Sequence, residues 1–197
     1  MKRYNLLTDI PPVTVKIDNI EYAICYTCDI ILKILSLVDS ASNKTEAEYS
    51  RLAIEQLALF YPVIPENIIQ ARIELNNFVI GNPETSTEQN RSDDNISERP
   101  SYSYEHDADL IFSAFAQQYP TIDLKTLHWY HFQALFRGLT DDCLFMKVIH
   151  YRTVKITKNM SKSDKEFYKR MKRKFALPDN RTQEEKDKEF AMALSIL

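Results

Sequence analysis

Only two glycines, Gly81 and Gly138, occur in a chain of 197 residues, about 1% against the ~7% typical of proteins. Glycine lets a backbone take positive φ or approach a ligand or another backbone closely. Phosphate-binding loops, dinucleotide fingerprints and nucleophile elbows need several such positions, so those chemistries are excluded at the outset. Folds made of many tight β-turns are disfavoured for the same reason. What remains is an architecture of helices. With 44% hydrophobic residues the chain can bury a core, as one domain or as two small ones sharing it. No apolar run approaches the ~20 residues needed to span a bilayer.

Residues Val13 to Ile17 alternate as V-T-V-K-I, Asp18-Asn19 supplies turn residues, and Glu21 to Ile24 alternates again. That pattern predicts a short β-hairpin, which must rest on helices to be stable. Helical spacing then predicts a helix over 29–38 with Thr27 as N-cap, carrying Ile30, Ile31, Ile34, Leu35 and Val38. The capping box Thr45-Glu-Ala-Glu48 opens a second helix, stopped at Pro62. A third starts at Pro65 and runs to Ile80, with Ile68, Ile69, Ile73, Leu75 and Phe78 as its apolar face and Gly81 as a left-handed cap. From Asn82 to Ser101 the one large aliphatic residue is Ile96, and the stretch reads as an acidic flexible loop or linker. Beyond it, helices are expected over 105–119, over 124–137 with Asp123 as cap and Gly138 as stop, from Thr140 through Ile149, and over 162–176 behind Ser161. Thr182-Gln-Glu-Glu185 opens a terminal helix. The organisation is therefore a hairpin plus helices over 1–81, a linker over 82–101, a helical region over 102–178 and a terminal helix or tail over 179–197. The fold class is mainly α, a helical bundle with a short N-terminal β-hairpin.

A net charge of −3 conceals a split. Between Lys147 and Lys174 eleven lysines and arginines face only Asp164 and Glu166, a local +9, so the rest of the chain sums to −12. Such asymmetry points to an electrostatically steered partner or to head-to-tail packing of copies. The apolar stripe Phe167, Met171, Phe175 on the basic helix leaves Lys165, Lys169, Arg170, Lys172, Arg173 and Lys174 on its other faces. These are the candidate partner-binding residues. A basic helix can neutralise phosphates, yet the pI of about 5.8 and the absence of a readout motif argue against nucleic acid as the partner.

Other constellations have bland readings beside sharp ones. Cys25-Tyr-Thr-Cys28 lies between a strand and a helix, the local setting of a redox dithiol, but lacks a parallel βαβ surround or a second pair for zinc. Buried small residues are the simpler reading. His128 and His131 fall three apart with no converging carboxylates, so packing near Trp129 outweighs metal ligation. Glu105-His-Asp-Ala-Asp109 either supplies carboxylates for a cation or base, or complements a helix dipole; the second is favoured. No catalytic residue, cofactor or metal site is expected. Three cysteines and no signal peptide imply a reducing cytoplasm.

The order of elements resembles a family of bacteriophage proteins. The residues carrying this are Leu6-Leu-Thr-Asp9 with the hairpin behind it, Tyr104-Glu-His-Asp-Ala-Asp109, Ile111-Phe-Ser-Ala-Phe115, Gln118-Tyr119, Ile122-Asp-Leu124 and Leu127-His-Trp-Tyr130. Phe132, Ala134-Leu135, Gly138-Leu139, Tyr151-Arg152 and Phe175-Ala-Leu-Pro178 complete it. The chain looks like the tail assembly chaperone-like family of long-tailed phages, encoded between the major tail protein and the tape measure protein. Cys25 and Cys28 and the acidic loop lie outside that pattern. The resemblance implies a non-enzymatic protein that coats the tape measure protein while tail tube subunits polymerise. It implies action in several copies, in the host cell cytoplasm, and absence from the mature virion. The competing classes are a nucleic-acid-binding phage protein using residues 162–174 and a structural tail component.

Overall fold

The computed structural model describes residues 4–39, 45–81 and 101–178. The acidic loop and the terminal helix expected from the sequence lie outside these residues, apart from Ser101. Two strands, β1 (Thr14–Ile17) and β2 (Ile20–Ala23), pair antiparallel with Ile17 opposite Ile20. Their two-residue turn places Asp18 at φ 49° and Asn19 at φ 66°, positive at both central positions as a hairpin turn matching strand twist requires. Asp and Asn tolerate this region best after glycine, which is how a glycine-poor chain makes a hairpin. Asn67 Nδ2 donates to Asp18 Oδ2 at 2.9 Å and ties the turn down.

Seven helices follow among the described residues: α1 (Cys28–Asp39), α2 (Glu46–Phe60), α3 (Ile68–Ile80), α4 (Ala108–Gln118), α5 (Trp129–Arg137), α6 (Leu144–Thr153) and α7 (Lys162–Lys174). The fold is mainly α with an N-terminal hairpin. The Thr45 capping box forms in full: Thr45 Oγ1 accepts from Glu48 N, and Glu48 Oε2 accepts from Thr45 N at 2.7 Å. Ser161 likewise accepts from Asp164 N at 3.0 Å.

Several boundaries differ from expectation, each for a tertiary reason. Pro65 is buried ahead of α3, and Asn67 caps that helix by accepting from Gln70 N. The segment 124–128 does not turn into helix because its backbone pairs elsewhere. Cys28 N donates to Leu127 O and Trp129 N donates to Tyr26 O, both at 2.8 Å, around a bridge between Thr27 and His128. Asp123 therefore closes a tight turn, accepting from Lys125 N, and His128 becomes the true N-cap of α5. Thr140 is not a cap: its N–H goes to Gln118 Oε1 at 3.0 Å, and Cys143 holds the N-cap position of α6. The fourth helix starts at Ala108, three residues late, because Asp107 is taken by a cation. The basic helix stops at Lys174.

Gly81 ends α3 at φ 81° with ψ −152°, positive as expected but outside the left-handed helical region. A Cβ there would fall on the Gln133 side chain, so this glycine provides a close approach as well as a turn. Gly138 closes α5 at φ −87° and uses no glycine-only conformation.

One apolar core draws on both sides of the 82–101 stretch. Ile17, Ile24, Ile31, Ile34, Leu57, Phe60, Leu75 and Phe78 pack with Ile111, Phe115, Trp129, Tyr130, Phe132 and Phe145. Rings carry it across: Phe78 stacks on Tyr130 at 5.1 Å, and Phe132 stacks on Trp129 at 5.3 Å and on Phe115 at 5.2 Å. Two of the polar edges in this core are satisfied by backbone, whereas the buried Tyr130 Oη has no hydrogen-bond partner among the described residues. Trp129 Nε1 donates to Val79 O at 2.9 Å, and Tyr61 Oη to Ala71 O at 3.0 Å.

Candidate functional site

The six basic candidates sit on α7, a helix with no fully buried residue, which lies against α6. Rings hold it there. Tyr151 of α6 meets Phe167 edge-on at 5.9 Å and stacks with Phe175 at 6.0 Å, while Tyr168 packs on His150 at 6.0 Å. Of the expected stripe, Met171 and Phe175 are half-buried, whereas Phe167 is 38% exposed and Tyr168 is half-buried in its stead. Two of the six cations are spent on structure. Lys172 Nζ donates to Arg152 O at 2.6 Å, and Lys165 Nζ to Lys158 O at 2.7 Å. A cation at the last carbonyls of a helix also complements the dipole of α6. Lys169, Arg170, Arg173 and Lys174 are exposed, with Arg170 over the Phe167 ring and Lys174 over the Phe175 ring. Those four define the outward basic surface.

Where α7 joins the body, Arg152 gathers three segments. It is bidentate to Asp107, Nη1 to Oδ2 at 2.6 Å and Nη2 to Oδ1 at 2.8 Å. Nε donates to Phe175 O at 2.6 Å and Nη1 also to Ser101 O at 3.1 Å. Asp107 is only 2% exposed. Burial pushes its carboxyl up, but the Arg152 guanidinium, the Ser103 N–H and the nearby charges outweigh that and hold it below its ordinary 3.8. The acid-rich start at residues 105–109 thus contributes a structural counter-charge. Asp107, Tyr151, Arg152 and Phe175, scattered in the sequence, meet at this one junction. Gln118, Tyr119 and Gly138 form a second one, where Gln118 Nε2 donates to Gly138 O at 2.8 Å. The charged pair Asp107–Arg152 was missed as a pair from the sequence, since 45 residues separate the partners.

Cys28 is buried and donates its thiol to Leu124 O at 2.6 Å; burial and the nearby Asp29 and Asp123 push its pKa up to about 12. A catalytic thiol needs the opposite shift. Both Cys25 and Cys28 are free. His128 is buried, with Nδ1 accepting from Tyr130 N at 3.1 Å, which leaves Nε2 protonated to donate to Pro12 O at 3.0 Å. Burial, offset in part by Pro12 O and reinforced by His131, lowers its pKa, and the ring is a neutral cap whose two nitrogens are both engaged. Among the described residues no three His, Cys, Asp or Glu side chains converge as a metal site, and no helix is long and apolar enough to cross a membrane.

A second surface was not anticipated. Ala71, Leu75 and Phe78 form the buried face of α3; Ile68, Ile69 and Ile73, expected to share it, are 40%, 77% and 45% exposed. Val63 and Ile64 just before the helix are exposed too. The hairpin side of the protein adds Ile20, and the preceding segment adds Leu7 and Ile10 at 94% and 86%. The Asn67–Asp18 hydrogen bond joins the two groups. Large apolar residues clustered in solvent mark an interaction surface. The sequence held part of the signal: positions 69 and 73 fall on a different helical stripe from 71, 75 and 78, while Ile68 shares that stripe but is the first residue of the helix.

The chain matches the family described as Bacteriophage Gp15 protein over residues 7–177. It belongs to that bacteriophage protein family. No curated protein and no solved structure matches it.

Proposed function

We propose that this protein is a non-enzymatic tail assembly chaperone that binds the tape measure protein and supports tail tube assembly. It would act in the host cell cytoplasm and leave before the virion is complete. Membership of a bacteriophage family and the resemblance of its element order to tail assembly chaperones support this reading. The observation that carries it is the exposed apolar surface of Ile64, Ile68, Ile69 and Ile73, since a holdase needs apolar surface to offer a helical client. Three buried groups capable of chemistry are engaged in structure: Asp107 by Arg152, Cys28 by Leu124 O, and His128 by Pro12 O and Tyr130 N.

Co-expression with fragments of the tape measure protein tests the proposal. Capture of a fragment by the wild type, and its loss in an Ile69→Glu/Ile73→Glu variant that keeps its helical circular dichroism, is the expected result. Binding to DNA at low salt, lost on neutralising Lys169, Arg170, Arg173 and Lys174, would favour the nucleic-acid reading that those exposed cations support. Detection of the chain in purified virions would favour a structural tail component.

A further inference from the structure

A groove of about 270 Å³ runs between α1, α2 and α3. Leu75 forms its buried floor, and Leu37, Leu52, Ala53 and Val79 give it half-buried apolar walls. The exposed Arg72 stands at its rim. We propose that this groove is the docking site of the chain's own C-terminal segment, residues 187–197. That segment places Phe190, Ala193, Leu194 and Leu197 at i, i+3, i+4 and i+7, the spacing of a helix that lays one apolar face into a groove. The volume lies below the ~300–1,000 Å³ of small-molecule sites and suits the side chains of such a face. Asp187 falls one turn before Phe190 on the same stripe and is the acid placed to meet Arg72.

The tether is long enough. Residues 179–189 separate Pro178 from the apolar stripe; extended, they reach about 36 Å, comparable with the width of a body this size, whose radius of gyration is about 15 Å. Residues 82–100 are a poorer occupant, since Ile96 is their one large aliphatic residue. The inference stands apart from the chaperone reading and does not depend on it.

Disulfide trapping in the full-length protein tests it. Ala53→Cys in the groove is paired with Ala193→Cys in the segment, and a control pairs Ser113→Cys, exposed on α4, with Ala193→Cys. Under mild oxidation the groove pair should cross-link within one chain at several-fold higher yield than the control, read by peptide mass spectrometry. Adding Phe190→Glu and Leu194→Glu should lower that yield several-fold. Arg72→Glu should lower it too, and Asp187→Arg added to Arg72→Glu should restore it. Ala53 is half-buried and Arg72 and Ser113 are exposed, and circular dichroism verifies the fold of each variant. Equal yields in both pairs, or a yield indifferent to Phe190 and Leu194, would overturn the proposal. A cross-link between two chains would also overturn it, by placing a second copy's segment in the groove.

Discussion

Arg152 is the residue on which most depends, because its side chain makes four hydrogen bonds, two to a buried carboxylate and one to each of two backbone carbonyls. Removing the carboxylate leaves the guanidinium, 11% exposed, without its counter-charge. Asp107→Ala should therefore cost about 3 kcal/mol, measured by urea unfolding at pH 7. The carboxyl is held below its ordinary 3.8 in the folded protein, so its contribution is complete above about pH 4 and is lost as pH falls through the folded value. His128 works at a higher pH. Its folded pKa lies below 6.5, the unfolded chain binds the proton more readily, and stability should fall as pH drops below 6.5 toward that folded value. His128→Asn keeps an acceptor for the α5 cap but cannot titrate. The slope of stability against pH between 6.5 and 5 should flatten in that variant.

Elements in this protein are set by local chemistry at some ends and by neighbours at others. The second helix begins where its capping box dictates, and Thr45→Ala should destabilise the protein by about 1 kcal/mol, visible as a lower thermal midpoint. The fifth begins where the backbone of residues 26–28 requires. Residues 124–127 have helical periodicity, yet the hydrogen bonds of Cys28 and Trp129 to Leu127 and Tyr26 claim the backbone at that edge. On α3 the periodicity admitted two apolar stripes, and only the core it meets decides that Ala71, Leu75 and Phe78 go inside. The leftover isoleucines are the surface on which the functional proposal rests. On α7 the half-buried Met171 and Phe175 were legible, but the exposure of Phe167 and the diversion of Lys165 and Lys172 to backbone carbonyls were not, the acceptors lying seven and twenty residues away.

At the scale of the whole molecule, the split of charge along the chain is a route by which copies would attract one another. The exposed cations of α7 carry one sign, and the bulk of the chain sums to the other. A heterologous contact between such surfaces builds an open array, or a ring where its rotation closes. Sedimentation should show assemblies larger than a monomer at 20 mM salt that shrink by 500 mM, as the Debye length falls from roughly 20 Å to roughly 4 Å. A monomer indifferent to salt would remove this route to self-association.

By itself the sequence determined what depends on neighbours in the chain. Two glycines excluded phosphate-loop chemistry, Asp18-Asn19 marked the hairpin turn, Thr45 and Ser161 marked helix starts, and the +9 stretch marked the basic helix. Each is a matter of local backbone energetics or composition, readable within a few residues. The tertiary structure alone decided which apolar stripe of α3 is buried, that His128 caps α5, and that Asp107 and Arg152 meet. Those outcomes depend on desolvation and on partners tens of residues away, and no local preference encodes where a distant carbonyl or guanidinium will arrive.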